Sequence, residues 1–335
     1  MMEKPNWTAI VARYATADTR RSIWQLVNTL VPYFVLFYLS MRSMEISLWL
    51  TIPLTVITAG FMVRVFIIFH DCGHGSFFKS RTATKWVGRV TGLLTFTPFY
   101  RWTHDHSIHH ATAGDLDRRG TGDVYTMTVE EYLASPWWKK FGYRVMREPV
   151  FMFLFGSIIV FVITQRFPTG DKREKESVWW TNLSLAIMVT AACLLFGWQA
   201  YVTVQLLVLF FGASTGIWLF YVQHNFDPSY WDRHPEWQFV KAGLVGSSFY
   251  KLPKVLQWFT GNIGFHHIHH LSPRIPNYHL EKCHRAEPLF QTVKPVTFFA
   301  SFKSLTFRLW DEQRQKLVGY RALREMRKQQ GQRSL

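Results

Sequence analysis

The chain has 335 residues, 48% of them hydrophobic and 17% aromatic, and a formal net charge of +16, which allows one large or two modest domains. Such a basic balance invites a nucleic-acid reading, but no DNA or RNA motif accompanies it, and the Lys and Arg residues flank apolar runs or sit in the tails. A cytoplasmic face drawn to anionic lipid headgroups accounts for the charge better. The three cysteines, Cys72, Cys193 and Cys283, are scattered without a CxxC pair, which predicts a reduced environment and no disulfide framework.

In chain order, the polar and aromatic start carries Arg13, Arg20 and Arg21 before any apolar run, so no cleavable signal peptide is expected. Residues 24–41 are free of formal charge, and 46–63 follow after a break at Arg42 to Glu45. Each approaches the roughly 20 residues that cross about 30 Å of hydrocarbon. Together, with a continuation through 65–69, they predict a first transmembrane hairpin over 24–69, its basic N-terminus cytoplasmic. Arg64 interrupts the apolar run and is expected to snorkel or to mark where the helix emerges.

The stretch 86–100 is short and holds Arg89, Gly92 and Pro98, whereas 150–167 is barely long enough to span and ends near Arg166. From Ser177 to Phe226 there is no Lys, Arg, Asp or Glu, and Gly197 to Gln199 interrupts the run near its middle. This predicts a second hairpin, 179–196 with 200–222. Parity assigns the two ambiguous stretches: if all histidine clusters meet at one site, an even number of crossings must separate them. Both are therefore expected to be interfacial or re-entrant. No repeat or linker is visible. One integral-membrane domain, 1–335, is expected, with cytoplasmic regions 70–149 and 223–335, the latter a cap with an amphipathic surface helix in the aromatic and basic C-terminal stretch and a frayed end over 321–335.

Eleven of the fourteen histidines fall in four places: His70 and His74; His104, His106, His109 and His110; His224; and His266, His267, His269 and His270. A lone histidine is usually a satisfied core or surface residue. Repeated HxxxH and HxxHH spacings are different, because residues three and four apart share a helix face. His70 with His74, His106 with His109 and His110, and His266 with His269 and His270 give eight imidazoles, and His224 is a natural ninth. One tetrahedral ion needs about four ligands, so nine imply two ions of higher coordination. Imidazole suits Zn, Cu, Fe and Ni and not the hard-oxygen Ca and Mg. No paired set of Glu-x-x-His motifs, as in soluble di-iron bundles, appears beside the spans, and the HExxH of zinc peptidases is absent. A membrane metal transporter or sensor would place its histidines within the spans, and a zinc-dependent hydrolase would not need so many. Histidine-bound iron at a membrane implies oxygen activation on a lipid.

The boxes HDCGH at 70–74, HDHSIHH at 104–110, QHNFD at 223–227 and GNIGFHHIHHLSP at 261–273 resemble those of the membrane fatty acid desaturases. The phrases HHATAGDLDRRGTGDVYTMTVEEY and GSSFYKLPKVLQWFTGNIG are similar to the bacterial acyl-lipid branch, in particular to phospholipid Δ5 desaturases. The resemblance covers nearly the whole chain. It implies an all-α membrane fold, with four transmembrane helices in two hairpins and a cytoplasmic helical cap, around two non-haem iron ions held by the nine histidines.

The implied reaction is O2-dependent removal of two hydrogens from a saturated acyl chain of membrane phospholipid, in the bacterial cell membrane, with the site and both termini cytoplasmic. A related di-iron hydroxylase or ketolase is the nearest alternative. No haem-binding HPGG or GxGxxG motif is present, so electrons are expected from an external carrier, ferredoxin or flavodoxin. Lys251, Lys254 and Arg274 are candidate docking charges for that carrier or for lipid headgroups. His104 and His267, with Asp71, Asp105 and Asp227, are candidates for orienting the ligand imidazoles. Trp102, Phe265 and Tyr278 suit either a substrate tunnel or packing, and His234, His279 and His284 are expected to be solvated.

Overall fold

The computed structural model describes residues 6–323 and 325; most of the tail expected to fray lies outside them. Short α1 (Trp7–Ala12) precedes α2 (Thr19–Ser43), whose N-terminus is capped by the Asp18 carboxylate accepting from the Arg20 and Arg21 amides. Its buried positions, Ser22, Gln25, Thr29, Tyr33, Phe37 and Ser40, recur every three or four residues and form one face. That face lies against α3 (Leu48–Gly73), with Ser43 donating to Thr51 at 2.9 Å across the turn. Helices α8 (Lys172–Phe196) and α9 (Trp198–His224) meet at Gly197, whose φ of +84° supplies the tight reversal. Gly212 of α9 faces the Met62 side chain of α3, where an added Cβ would lie 3.1 Å from its sulfur. These four helices, of 25 to 27 residues, are long and apolar enough to cross a membrane. Leu194, Leu195 and Trp198 are among the large apolar side chains left exposed on the bundle, as lipid-facing positions require.

The second hairpin begins a full two turns before residue 179, because Asp171 caps α8 at the Glu174 amide. Arg64 does not snorkel to solvent. It is buried, its Nε donating to the Thr29 hydroxyl at 3.1 Å, another nitrogen bonding the Trp258 carbonyl, and its guanidinium lying 4.0 Å from the Trp258 ring centroid.

Between the hairpins, α4 (Arg81–Leu94) is a 14-residue amphipathic helix, about 21 Å long at 1.5 Å per residue, too short to cross. It buries Thr84, Gly88, Thr91 and Gly92 and exposes Trp86 and Val90. α5 (Phe99–Thr112) turns back beside it, and Gly88 permits the approach, since a Cβ there would sit 2.3 Å from the Phe99 ring. After α6 (Val129–Ala134) and α7 (Trp137–Met146), the segment Phe151–Arg166 bends by 72° from α7 and winds in wide turns, its Phe153 carbonyl accepting from Ser214 of α9 at 2.7 Å. The bend and the wide turns distinguish it from the straight spans.

The cap is built from α10 (Phe239–Leu244), β1 (Phe249–Lys251), α11 (Lys254–Phe259), α12 (His266–Leu271), α13 (Asn277–Ala286) and α14 (Pro288–Gln291). β2 (Pro295–Thr297) then pairs parallel to β1. The expected amphipathic surface helix after residue 289 is not formed. Instead a 3-10 turn over Ala300–Thr306 leads into the hairpin β3 (Leu309–Asp311) and β4 (Lys316–Val318). Trp310 is completely buried there and its amide bonds the Met127 carbonyl at 3.0 Å, while the Tyr221 hydroxyl lies 3.1 Å from the Ser304 and Phe307 carbonyls. The aromatic residues that looked like a lipid-facing stripe are thus partly core, locking the segment over the end of α9; Phe299 and Phe302 stay exposed.

Candidate metal centre

The last turn of α3 presents His70, with His74 as its C-cap. α5 presents His106, His109 and His110, α9 ends at His224, and α12 carries His266, His269 and His270. All nine converge at one end of the bundle in two groups, within each of which the ligand-type nitrogens lie within 4.8 Å of one another. One group is His70, His74, His106, His110 and His269; the other is His109, His224, His266 and His270. Each HxxHH box is therefore divided. The i,i+4 pair faces one group and the i+3 histidine, 60° round the helix, faces the other, so a single helical turn serves both.

The donor set fits metal. In the second group Nε2 of His224 lies 3.1 Å from that of His109 and 3.0 Å from that of His266, and the His266–His270 pair is at 3.1 Å. In the first, His110 is 3.2 Å from His106 and 3.0 Å from His269. Ligands about 2.1 Å from one ion and at right angles lie about 3 Å apart, whereas tetrahedral ligands would lie nearer to ~3.4 Å. Nδ1 of His109 faces the Asp123 carboxylate at 2.5 Å, which places the ring proton there and leaves a bare lone pair on Nε2 toward His224. Burial above all, and then the neighbouring histidines, push His106, His110, His266, His269 and His270 well below the ordinary imidazole range. They are neutral at physiological pH, the form that binds a cation. The buried Nε2 of His74 has no protein partner. No carboxylate belongs to either group, which favours imidazole-preferring transition metals over Ca or Mg.

Two carboxylates steady this array. Asp71 lies 3.2 Å from His70 Nδ1 and is itself fixed by the Asn277 amide at 2.7 Å and the Asn277 side chain at 2.8 Å. Asp123, its side chain 6% exposed, holds His109. It was not singled out from the sequence, although it stands inside the quoted GTGDVY phrase. Gly122 is the readable signal: its φ is +68°, and a Cβ would come within 3.1 Å of His109 Cβ, so the loop needs glycine to reach the histidine. A cavity of about 10 Å³, room for about one water, borders His109, Asp123 and His224.

The other sequence candidates lie elsewhere. His104 is exposed and faces Glu174 at 3.5 Å, Asp105 faces Arg101 at 4.0 Å, and Asp227 is exposed near Lys303 at 3.6 Å. None contacts the clustered imidazoles, and Asp227 lies in a loop past the end of α9. His267 is fully buried on the opposite face of α12, against Phe249, His284 and Phe290, and burial lowers its pKa to about 3. Trp102 stacks on His106 at 4.3 Å, whereas Phe265 packs on Phe249 and Tyr278 ties α13 to the start of α2. Lys251 and Arg274 are exposed, and Lys254 is paired with Glu281. His234 is exposed but bonded to Asp115 at 2.8 Å, and His279 and His284 are half-buried rather than solvated.

An all-helical membrane-type bundle closed at one end by two histidine groups defines a class of membrane-embedded metalloproteins. Residues 47–299 match the family model for fatty acid desaturase, and the chain belongs to that family of enzymes. It is 48% identical to a fatty acid desaturase of Bacillus subtilis over 95% of this chain and 91% of that relative. It is 26% identical to an sn-1 acyl-lipid omega-3 desaturase (ferredoxin) of Synechocystis sp., over 74% of this chain and 68% of the relative. An sn-1 oleoyl-lipid 12-desaturase of the same organism is 28% identical, over 70% and 68%.

Proposed function

We propose that the protein is an O2-dependent acyl-lipid desaturase that places a cis double bond, at the Δ5 position, in saturated acyl chains of membrane phospholipid. The convergence of nine imidazoles in two groups, at one end of four apolar helices, is the observation that carries this reading. Two irons fit the sites, one held by His70, His74, His106, His110 and His269, the other by His109, His224, His266 and His270. When bound, they supply O2 activation: O2 is reduced to two waters by two electrons from the substrate C–H bonds and two from a donor. The ferredoxin named for one relative supports an acidic one-electron carrier, ferredoxin or flavodoxin, docking on the basic cytoplasmic face.

The chain's own part is positioning. Asp71 and Asp123 fix the imidazole planes of His70 and His109, so little reorganisation is left for the reaction. Trp102 and Phe220, the latter 5.0 Å from the His109 ring, form apolar walls against the ligands. Such apolar walls suit an acyl methylene pair better than a polar group. Expression in a bacterial host that lacks desaturases, with saturated acids fed, tests the reading. Phospholipid acyl chains lacking two hydrogens, with the double bond mapped to Δ5 by mass spectrometry, are expected. Hydroxylated chains would place the protein among the hydroxylases instead.

A further inference from the structure

Outside the histidine groups, a groove of about 450 Å³ opens between α4, the start of α5 and the first turns of α8. Its chemistry is not that of a packing defect. Tyr100 stands in it with two arginines against its ring: the Arg173 guanidinium 3.7 Å from the ring centroid and that of Arg89 at 5.3 Å, with Arg89 also donating to the Tyr100 hydroxyl at 3.2 Å. Both arginines are exposed, and neither makes an ion pair among the described residues. The carboxylate that lines the groove, Glu176, faces Lys172 at 3.9 Å. By contrast, a second groove beside α2 and α11 has its cations already engaged: Arg21 with Asp18, Lys254 with Glu281, and Arg64 buried against Trp258.

The position fits a lipid. Arg173 stands in the first turn of a spanning helix, and Trp86 and Trp180, both largely exposed, form the rim, as expected at the boundary between headgroups and hydrocarbon. Val90 and Leu93 continue the lining as an apolar wall. Phe99, on the same lining, contacts Phe69 at 6.0 Å; Phe69 contacts Trp102 at 4.8 Å, and Trp102 stacks on His106. Along α5, Tyr100 and His106 are six residues apart, a rise of about 9 Å along the helix axis. That is the reach of a glycerol ester and the first few carbons of its chain.

The geometry points to this groove as the binding site for the phosphate of the substrate phospholipid, held in the fork of Arg89 and Arg173 beside Tyr100. The assignment rests on the acyl-lipid reading for the word substrate, and on the groove's own charge for the word phosphate. Planar guanidinium groups bind phosphate oxygens in pairs, and a headgroup fixed here leaves the acyl chain to run along the wall toward the histidine groups.

The test uses the full-length, iron-loaded protein in detergent, with dioctanoyl phosphatidylglycerol as probe and dioctanoylglycerol, which lacks the phosphate, as its control. The double variant R89Q/R173Q is expected to bind the phospholipid at least about tenfold more weakly, with unchanged, weak binding of the diacylglycerol. Glu176→Gln, which removes the groove's carboxylate, is expected to bind the phospholipid more tightly. Equal phospholipid affinity in the wild type and the double variant would overturn the assignment. On phosphatidylglycerol vesicles the double variant should raise KM and leave kcat nearly unchanged. Lost binding with an unchanged KM would show a lipid that is not substrate, and would overturn that part. If the wild type does not desaturate phospholipid at all, the acyl-lipid reading fails, and the binding measurement still decides the phosphate site by itself.

Discussion

Asp123 reaches His109 from a loop fourteen residues downstream, and the 2.5 Å contact sets which ring nitrogen is free for metal. Replacing it with Ala is expected to weaken iron retention about tenfold to a hundredfold, read as iron left after a chelator challenge, whereas Asp227→Ala and His104→Ala should retain wild-type iron. His267 offers the opposite case. It is fully buried with neither ring nitrogen hydrogen-bonded, so His267→Phe is expected to cost less than about 1 kcal/mol, or to stabilise, in a thermal unfolding scan. Iron loss in that variant would tie it to the metal centre. At this scale the nine clustered histidines were legible because three- and four-residue spacings are a property of the helix itself. Asp123 was not, because its contact exists only once a glycine-dependent loop folds back. Asp105 misled for the converse reason, since adjacency in sequence is not adjacency round a helix, and Asp227 because it lies in a loop beyond the end of α9.

At the scale of elements, the long charge-free runs announced four long apolar helices, and the largest change of bounds, at the start of α8, comes from the Asp171 cap. Parity, which requires all the histidines at one end, demands that α4 not cross, and its 14 residues are too few to span about 30 Å of hydrocarbon. The C-terminal stretch was misread because alternating aromatic and basic residues describe a lipid-facing helix and a buried β-hairpin equally well. Burial decided the outcome: Trp310 closes against Leu116, Trp231 and Phe307 beneath the cap. Trp310→Ala is therefore expected to destabilise the protein by about 3–5 kcal/mol, seen as a lower unfolding midpoint in detergent. A shift no larger than that of a surface substitution would mean the hairpin is not part of the core.

At the scale of the whole molecule, each histidine group needs three elements far apart in sequence, α3, α5 and α12 for one and α5, α9 and α12 for the other. The division of each HxxHH box between the two groups makes them interdependent: α5 and α12 each contribute to both. This is why replacing any of the nine by Ala is expected to abolish desaturation, while His279→Ala and His284→Ala should not. The most direct test of the central claim is the iron content of the purified full-length chain. Two tightly held irons per chain, with neither site refilled by zinc after iron loading, is the expected result. A single iron, or weakly held and exchangeable zinc in its place, would contradict a two-iron centre built from these nine histidines.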